Sequence, residues 1–394
     1  MRSIETLNTP LVYRVADADG LYEWPDRGEE IHIRTLATAL TGMQKEALVG
    51  NSQAGTVWRM VCDEGPYLNG TDLAPFPLAF FTTGLVLSYM SEIEALAKQR
   101  GIALRRLVLR QDNRYTMEGS ALKGTMIGGA LPVDLAVSAQ TDASAEAVSG
   151  LVQDAVAACP ANALLNTVMD SLFTLSHNGA PLPVQRVCPL DGPAPPDPGP
   201  VFAQTRPVSP PDFASDIITK LEDAPKVTGE GGAGSSLTAE QKRMLHVQGV
   251  ASRRSDGLAE VTINLFKPVG SRFHFIGDDL PRFGGQGRAP SGLDYLSAGI
   301  AFCYLTQLGR FTHIAKKSMD AYAIVQDTAF SLPGASGGTG RRATAEPVET
   351  HVYVHSPESA EDMQTLTDMG EQTCFLHAAC RSALKTKIRI EKAA

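Results

Sequence analysis

Two stretches, APFPLAFFTTGLVLSYM at positions 74–90 and APSGLDYLSAGIAFCYL at positions 289–305, align without a gap and decide the fold. The offset that carries the first stretch onto the second also superposes further identical residues on both sides. Those pairs include Asp63 and Asp278, Gly70 and Gly285, Ser144 and Ser359, Glu146 and Glu361, and Cys159 and Cys374. A spacing that holds through loops as well as helices indicates one ancestral domain that was duplicated.

The repeat is unequal at one reactive position. The sequence separation between Ser88 and Cys159 in the first copy equals that between Cys303 and Cys374 in the second. The second copy therefore holds two thiols where the first holds a hydroxyl and one thiol. We expect a shared fold but a different chemistry, with a degenerate site in the first copy.

Length and composition favour two domains of ordinary size. The chain has 394 residues, of which 43% are hydrophobic, so each half is able to bury its own core. Residues 181–238 are rich in proline and glycine and aperiodic, which is typical of a linker. The predicted domains are residues 1–180 and residues 239–394, and a short helix is expected within the linker at residues 212–221.

Charge and cysteine content narrow the class of protein. A net charge of -8 argues against nucleic acid or an anionic membrane as the main partner. The chain begins without the apolar stretch of a secretory signal, and its longest apolar run is too short to span a bilayer. Six cysteines are too sparse for a disulfide scaffold. A reducing cytoplasm is the expected location.

Each copy reads as strands, a long helix, more strands and a second helix. Strands are predicted at 31–49, 54–62, 104–110, 131–137, 244–252, 259–276, 321–326 and 348–354. Long helices are predicted after Pro75 and Pro290, at about 77–100 and 292–318, and Ser144 and Ser359 suit the N-caps of the second helices. This order favours an α+β fold over a doubly wound sheet.

In these residues the chain resembles the OsmC/Ohr family of thiol-dependent hydroperoxide reductases. The second copy carries the resemblance through Asp278-Asp279, Gly284-Gly285, Ala289 to Asp294, Ala298 to Cys303, and Cys374. The first copy matches through Gly70-Thr-Asp72, Pro75 to Leu78 and Ala158-Cys159-Pro160. Most of both copies is covered, and the linker is not.

The resemblance implies a fold, a chemistry and site residues. Members are α+β proteins that pair as two-fold dimers, so the tandem copy would be a covalent pseudo-dimer. Cys303 would attack an organic hydroperoxide and become a sulfenic acid, and Cys374 would close a disulfide with it. Arg254 and Asp294 stand within one residue of the positions of the family's activating arginine and acidic partner. An external dithiol would be the reductant, and a hydrophobic organic molecule the substrate.

Other interpretations of the same residues stay open. Asp294 follows Ser291 by three residues and also suits a capping box. His377, three residues after Cys374, is either a base for thiolate chemistry or a structural residue. With His377 or His313 as base, Cys303 would serve a cysteine hydrolase that acts on an activated carbonyl. The third alternative is a small-molecule binder without catalysis, and further homo-oligomerisation is compatible with each.

No metal or cofactor is predicted. The chain lacks a Cys-x-x-Cys motif, and its His351-Val-Tyr-Val-His355 segment falls on a predicted strand. Four residues of strand span about 13 Å, which is too far for both imidazoles to bind one ion. The glycines of residues 283–287 lack the Lys-Ser/Thr that follows in a phosphate loop.

Overall fold

The computed structural model describes residues 2–16, 18, 22, 30–208, 217–225, 241–331 and 342–392. These residues form two mixed β-sheets with two long helices packed side by side between them. The first long helix packs on one sheet and the second on the other, and the two helices pack against each other. The predicted α+β class is confirmed, with each sheet packed on a long helix.

The helices reproduce the offset found in the sequence. The α-helices are α1 Ile4–Leu7, α2 Pro77–Gln99, α3 Ala145–Ala158, α4 Pro160–Asn166, α5 Gly292–Ile314, α6 Ala360–Thr373 and α7 Phe375–Cys380. The offset that superposes Cys159 on Cys374 carries both ends of α2 onto the ends of α5, and both ends of α3 onto the ends of α6. Short 3-10 helices lie at Pro66–Leu68, Gly199–Ala203 and Pro281–Phe283.

The described residues form seventeen β-strands. They are β1 Val12–Arg14, β2 Ile31–Ala39, β3 Lys45–Asn51, β4 Thr56–Cys62, β5 Arg106–Gly119, β6 Ile127–Ala130, β7 Asp134–Gln140, β8 Leu172–His177, β9 Ala180–Leu182, β10 Cys188–Pro189, β11 Ile218–Glu222, β12 Gln241–Arg253, β13 Ala259–Lys267, β14 Arg272–Gly277, β15 Ala321–Phe330, β16 Glu349–His355 and β17 Lys387–Lys392.

Both sheets are built from strands of both copies. The first sheet has the order β1-β4-β3-β2-β15-β16-β8-β10, with β9 on β8. The second has the order β11-β14-β13-β12-β5-β7-β17, with β6 on β5. The copies meet at two antiparallel junctions, where Leu36 pairs with Val325 and Val250 pairs with Arg110, and at two parallel junctions, where β8 pairs with β16 and β7 with β17. Strands before the long helix of one copy therefore continue into strands after the long helix of the other.

This exchange of strands bears on the predicted domains. The boundaries at residues 180 and 239 separate the two repeats in sequence and stay a prediction. Neither sheet is confined to one side of them, because each is completed by the other repeat. The two copies are intertwined within one chain.

Several predicted elements need correction. The predicted strands 31–49 and 259–276 are each two antiparallel strands, because the chain turns at Gly42, whose φ is +63°, and at residues 268–271. In the linker, residues 218–222 form a strand paired with β14 where a helix was expected. Residues 212–216 of that helix lie outside the described residues, as do residues 332–340 of the Gly-rich stretch 331–340, whose composition predicts a hairpin loop.

The helix starts follow the predicted caps. Ser144 Oγ accepts from the Ala147 amide at 3.2 Å, and Ser359 Oγ accepts from the Asp362 amide at 3.1 Å. Each serine side chain thus accepts a hydrogen bond from a first-turn amide that has no partner within the helix. The two N-cap predictions are confirmed, and they place α3 and α6 at equivalent points of the repeat.

Among the described residues, no single helix is long and apolar enough to cross a membrane. Helices α3 and α4, which meet at 75°, pass that test only when they are taken together.

Candidate active site

Cys303, Cys374 and His377 meet in the interior of the molecule. Cys303 lies in the middle of α5, and Cys374 stands between α6 and α7 with extended backbone angles of -70° and 116°. This break turns α7 so that His377, one turn further on, faces back towards the cysteine. The exposed fractions are 2% for Cys303 and 0% for both Cys374 and His377.

The three side chains influence each other in this enclosed space. Cys303 and Cys374 are close enough for each thiol to shift the pKa of the other. His377 Nδ1 lies 3.2 Å from Cys374 Sγ. A thiol, a second sulfur and an imidazole therefore form a chain in which Cys374 is the central member.

This chain sets the two thiols apart in acidity. Burial raises the pKa of Cys303 well above its usual value, and the neighbouring Cys374 raises it further. For Cys374, burial also opposes ionisation, but the interactions with Cys303 and His377 outweigh it and hold its pKa well below the usual value. The more acidic thiol is thus Cys374, since its charged form is the one with polar partners.

Aromatic rings enclose the histidine and the thiols. The His377 ring lies 5.5 Å from Phe173 and 5.7 Å from Tyr304, measured between ring centroids. Tyr115 packs on Phe375 at 5.7 Å, and the charges of Cys303 and Cys374 add to the burial that raises its pKa. Phe173 and Tyr115 come from the first copy. The site of the second copy is therefore completed by the first, as expected of an intertwined pair.

A buried carboxyl group of the first copy also reaches this region. Glu64 Oε1 accepts from Thr306 at 3.1 Å, one turn after Cys303 on α5, and Glu64 Oε2 accepts from the Tyr67 hydroxyl at 3.0 Å. Burial raises the pKa of Glu64, and its charge raises that of Cys303. Glu64 therefore disfavours a thiolate at Cys303.

A cavity of about 560 Å³ is lined by residues of α5 and α7, the helices that flank the thiols, and by neither cysteine itself. Its wall includes Gln307 and Arg310, which follow Cys303 by four and seven residues along α5, and Phe375, the neighbour of Cys374. Residues at these spacings share one face of a helix. The cavity thus reaches residues that neighbour both cysteines in the chain, while the thiols themselves stay enclosed.

The structure does not bring Arg254 or Asp294 to the thiols. Arg254 lies in the turn between β12 and β13, where it pairs with Asp256 at 2.9 Å. Asp294 caps α5: its carboxylate accepts from the Ser291 amide at 2.7 Å and from Asn51 Nδ2 at 2.8 Å. Burial raises the pKa of Asp294 to about 6. Asp294 therefore acts as a helix cap, and Arg254 is one partner of a surface ion pair.

The equivalent position in the first copy holds a different set of groups. Ser88 Oγ donates to the Gly84 carbonyl at 2.8 Å, so it is engaged within its own helix. Cys159 is fully buried, and burial together with the nearby Glu92 raises its pKa far above the usual value. Asn162 stands where the offset places His377, and it accepts from the Tyr89 hydroxyl at 2.7 Å. These side chains form a packed polar contact and not a second dithiol site.

The two histidines of the His-x-x-x-His segment bind separate partners. His351 Nδ1 lies 2.9 Å from Thr174 Oγ1, and His355 Nε2 lies 2.8 Å from Asp197. Asp327, Glu349 and His351 do bring ligand atoms within 4.8 Å of one another. Asp327 is already held by Arg34 through two hydrogen bonds of 2.8 and 2.9 Å, so this group is organised as an ion pair.

Comparison with solved structures shows a likeness to an OsmC-like hydroperoxide resistance protein from Jannaschia sp. CCS1. The sequences are 23% identical, the match covers 30% of this chain and 75% of the other, and the TM-score is 0.21. No protein-family model matches the chain, and no curated protein matches it. A likeness this distant carries no argument about the reaction, which has to rest on the side chains.

Several residues of the site were not predicted from the sequence. Gln307 and Arg310 could be found from the sequence, because they are polar, lie in an otherwise apolar helix and share the helical face of Cys303. No sequence pattern points to Glu64, Tyr67 and Tyr115, because they approach the site only through the exchange of strands between the copies.

Proposed function

We propose that the chain reduces organic hydroperoxides through a thiol cycle in which Cys303 and Cys374 become a disulfide. The observation that carries the proposal is the cluster of two buried thiols that shift each other's pKa, with His377 Nδ1 3.2 Å from the sulfur of one of them. Two neighbouring thiols need only a local movement to bond. Their enclosure also protects a sulfenic acid from further oxidation, because a second thiol is at hand.

In the first step, the Cys374 thiolate attacks the terminal oxygen of the hydroperoxide. A sulfur–oxygen bond forms, the oxygen–oxygen bond breaks, and the leaving alkoxide takes up a proton to become an alcohol. The resemblance assigned this attack to Cys303. His377 favours Cys374 instead, because an imidazole 3.2 Å from the sulfur stabilises the thiolate and lies where it can pass a proton.

In the second step, the Cys303 sulfur attacks the sulfenic sulfur of Cys374. The new sulfur–sulfur bond displaces hydroxide, which leaves as water with the proton of Cys303. An external dithiol then reduces the disulfide and returns both thiols, and the dithiol becomes a disulfide itself. Two electrons pass from the dithiol to the peroxide in each turnover.

Trapping the sulfenic acid tests both the reaction and its order. Cys303→Ser and Cys374→Ser variants would each be treated with cumene hydroperoxide in the presence of dimedone and analysed by peptide mass spectrometry. We expect dimedone on Cys374 in the first variant and little on Cys303 in the second. The reverse pattern would restore Cys303 as the attacking thiol, and no adduct in either variant would reject the peroxidase.

The contact between Cys374 and His377 also favours a second candidate, a cysteine hydrolase. A thiol and an imidazole in contact are the minimum for nucleophilic attack on a carbonyl. This reaction needs no second thiol, so a Cys303→Ser variant would still hydrolyse an activated ester and accumulate an acyl group on Cys374. A Cys303→Ser variant that forms no such adduct would exclude this candidate.

A further inference from the structure

The cavity lined by residues of α5 and α7 has apolar walls that come from both copies. Its carbon-rich lining extends from the 3-10 helix at residues 66–68 to the turn that follows β13. The apolar lining residues are Tyr67, Leu68, Met117, Met244, Leu245, Phe266, Pro268, Val269 and Phe375. A volume of about 560 Å³ lies within the range of small-molecule sites.

The charged groups of this lining all have one sign. Arg243 on β12, Lys267 at the end of β13 and Arg310 on α5 line the cavity, and the described lining contains no carboxylate. The chain as a whole has a net charge of -8. The cavity lining is therefore positively charged, with three cations, although the protein as a whole is negatively charged.

The two arginines are held together at a cost. Arg243 Nη2 is enclosed and has no hydrogen-bond partner among the described residues. Burial, together with the charge of Arg243, lowers the pKa of Arg310 to about 10, although Glu64 partly compensates. Arg310 Nη1 donates to Gln307 Oε1 at 3.2 Å, which fixes the direction of its side chain. Like charges at one cavity wall repel each other, and an anion that binds between them relieves this repulsion.

We propose that this cavity binds an organic carboxylate, with its head group on Arg243 and Arg310 and its apolar tail along the carbon-rich walls. The proposal rests on the proposed function where it names the substrate class: a hydroperoxide that carries a carboxylate. Phe375, the wall residue next to Cys374 in the chain, is where the apolar part of such a molecule would come closest to the thiols.

Calorimetric binding of decanoate and decanol tests the inference, because these probes share a tail and differ in the head group. We expect decanoate to bind about tenfold more tightly or better, as hydrogen bonds to charged groups provide. Arg243→Met is expected to lose that preference while it keeps its affinity for decanol. Lys242→Met, an exposed neighbour on the same strand, is the matched control and is expected to bind both probes as the wild type does.

Arg310 needs a different variant, because removal of a buried arginine risks misfolding. Arg310→Lys retains the charge but not the paired donors, so decanoate affinity is expected to fall by several-fold with an unchanged circular dichroism spectrum. Equal affinity of the wild type for decanoate and decanol, or an Arg243→Met variant that keeps the preference, would overturn the proposal.

The same measurement separates this inference from the thiol reaction. Decanoate is not an oxidant, and its binding is expected to survive in the Cys374→Ser variant. Binding with arginine dependence but no disulfide formation would reject the peroxidase and leave the carboxylate site standing. Disulfide formation without a preference for decanoate would reject the carboxylate site and leave the peroxidase standing.

Discussion

His377 Nδ1 lies 3.2 Å from Cys374 Sγ, and neither side chain exposes any surface. Because solvent does not stabilise a thiolate at Cys374, the neighbouring His377 and Cys303 side chains have to do so. The reactivity of the dithiol therefore depends on a residue whose counterpart in the first copy is Asn162. This relationship distinguishes the two copies as much as the exchange of Ser88 for Cys303.

Replacement of His377 is expected to raise the pKa of Cys374. In a His377→Asn variant the lowest thiolate titration, followed by ultraviolet absorbance, should move up by about one to three pH units, since an opposite charge within contact distance is lost. The thiolate exists above its pKa, so the variant would hold less of it at neutral pH and react more slowly. His313→Asn, at the exposed end of α5, is the control; an unchanged titration in His377→Asn would contradict this account.

Arg254 is expected to be dispensable. An Arg254→Ala variant loses only an exposed pair with Asp256, so its free energy of unfolding should change by about 0.5 kcal/mol or less, and its peroxide turnover should stay within twofold of the wild type. The adjacent Arg253 bridges Glu94 of α2 and Asp279, and Arg253→Ala should cost about 2 kcal/mol. A tenfold loss of turnover in Arg254→Ala would restore the role that the family resemblance gave it.

Asp294 is expected to act on stability and not on turnover. Asp294→Ala removes the cap of α5 and leaves the Asn51 amide unpaired, which should lower the free energy of unfolding by about 1–3 kcal/mol. Denaturant titration measures this loss, and turnover per folded molecule should be unchanged. A variant of normal stability with abolished turnover would show that the carboxylate takes part in catalysis.

The raised pKa of Asp294 also predicts a pH dependence with a definite sign. Its pKa is about 6 in the folded chain against an ordinary value of 3.8, so the folded state favours the protonated carboxyl. The stabilisation is fully present below the ordinary value and is lost as the pH rises through about 6. Between these limits the wild type should gain less stability with rising pH than Asp294→Asn, and parallel curves for the two proteins would contradict this reasoning.

The packing of α2 on α5 depends on glycine at the crossing. A Cβ atom on Gly84 would lie 2.4 Å from both the Gly292 carbonyl oxygen and the Leu296 amide nitrogen. Gly84→Ala should therefore cost about 1–3 kcal/mol by overpacking, measured by denaturant unfolding. Gly150 in α3 has no atom within 4 Å of such a Cβ, so Gly150→Ala should stabilise the protein by up to about 1 kcal/mol. Equal effects at both positions would mean that the helices are not in close contact.

The repeat offset predicted much of the fold, and its limits are physical. An offset without gaps transfers helix ends from one copy to the other, which is why α5 and α6 fall where α2 and α3 predict. The exchange of strands was not predictable in this way. Strand β2 has the same alternation of hydrophobic residues whether it pairs with β5 of its own copy or with β15 of the other copy. The hydrophobic pattern alone therefore does not determine which of the two pairings forms.

The site was predicted in part for the same reason. Cys303, Cys374 and His377 lie on helices whose spacing the repeat preserves, and the structure brings these three together. Arg254 was assigned from a position in a turn, where a shift of one residue is enough to direct the side chain to solvent. Tyr115 and Glu64 belong to the other copy, so no pattern local to the cysteines points to them.

The central claim is that Cys303 and Cys374 form a redox-active pair. It is tested most directly by adding one equivalent of cumene hydroperoxide to the fully reduced protein and mapping its cysteines by peptide mass spectrometry. We predict a Cys303–Cys374 disulfide that a dithiol reverses, with Cys159 and the other cysteines left as thiols. Reduced Cys303 and Cys374 after the peroxide treatment would contradict it.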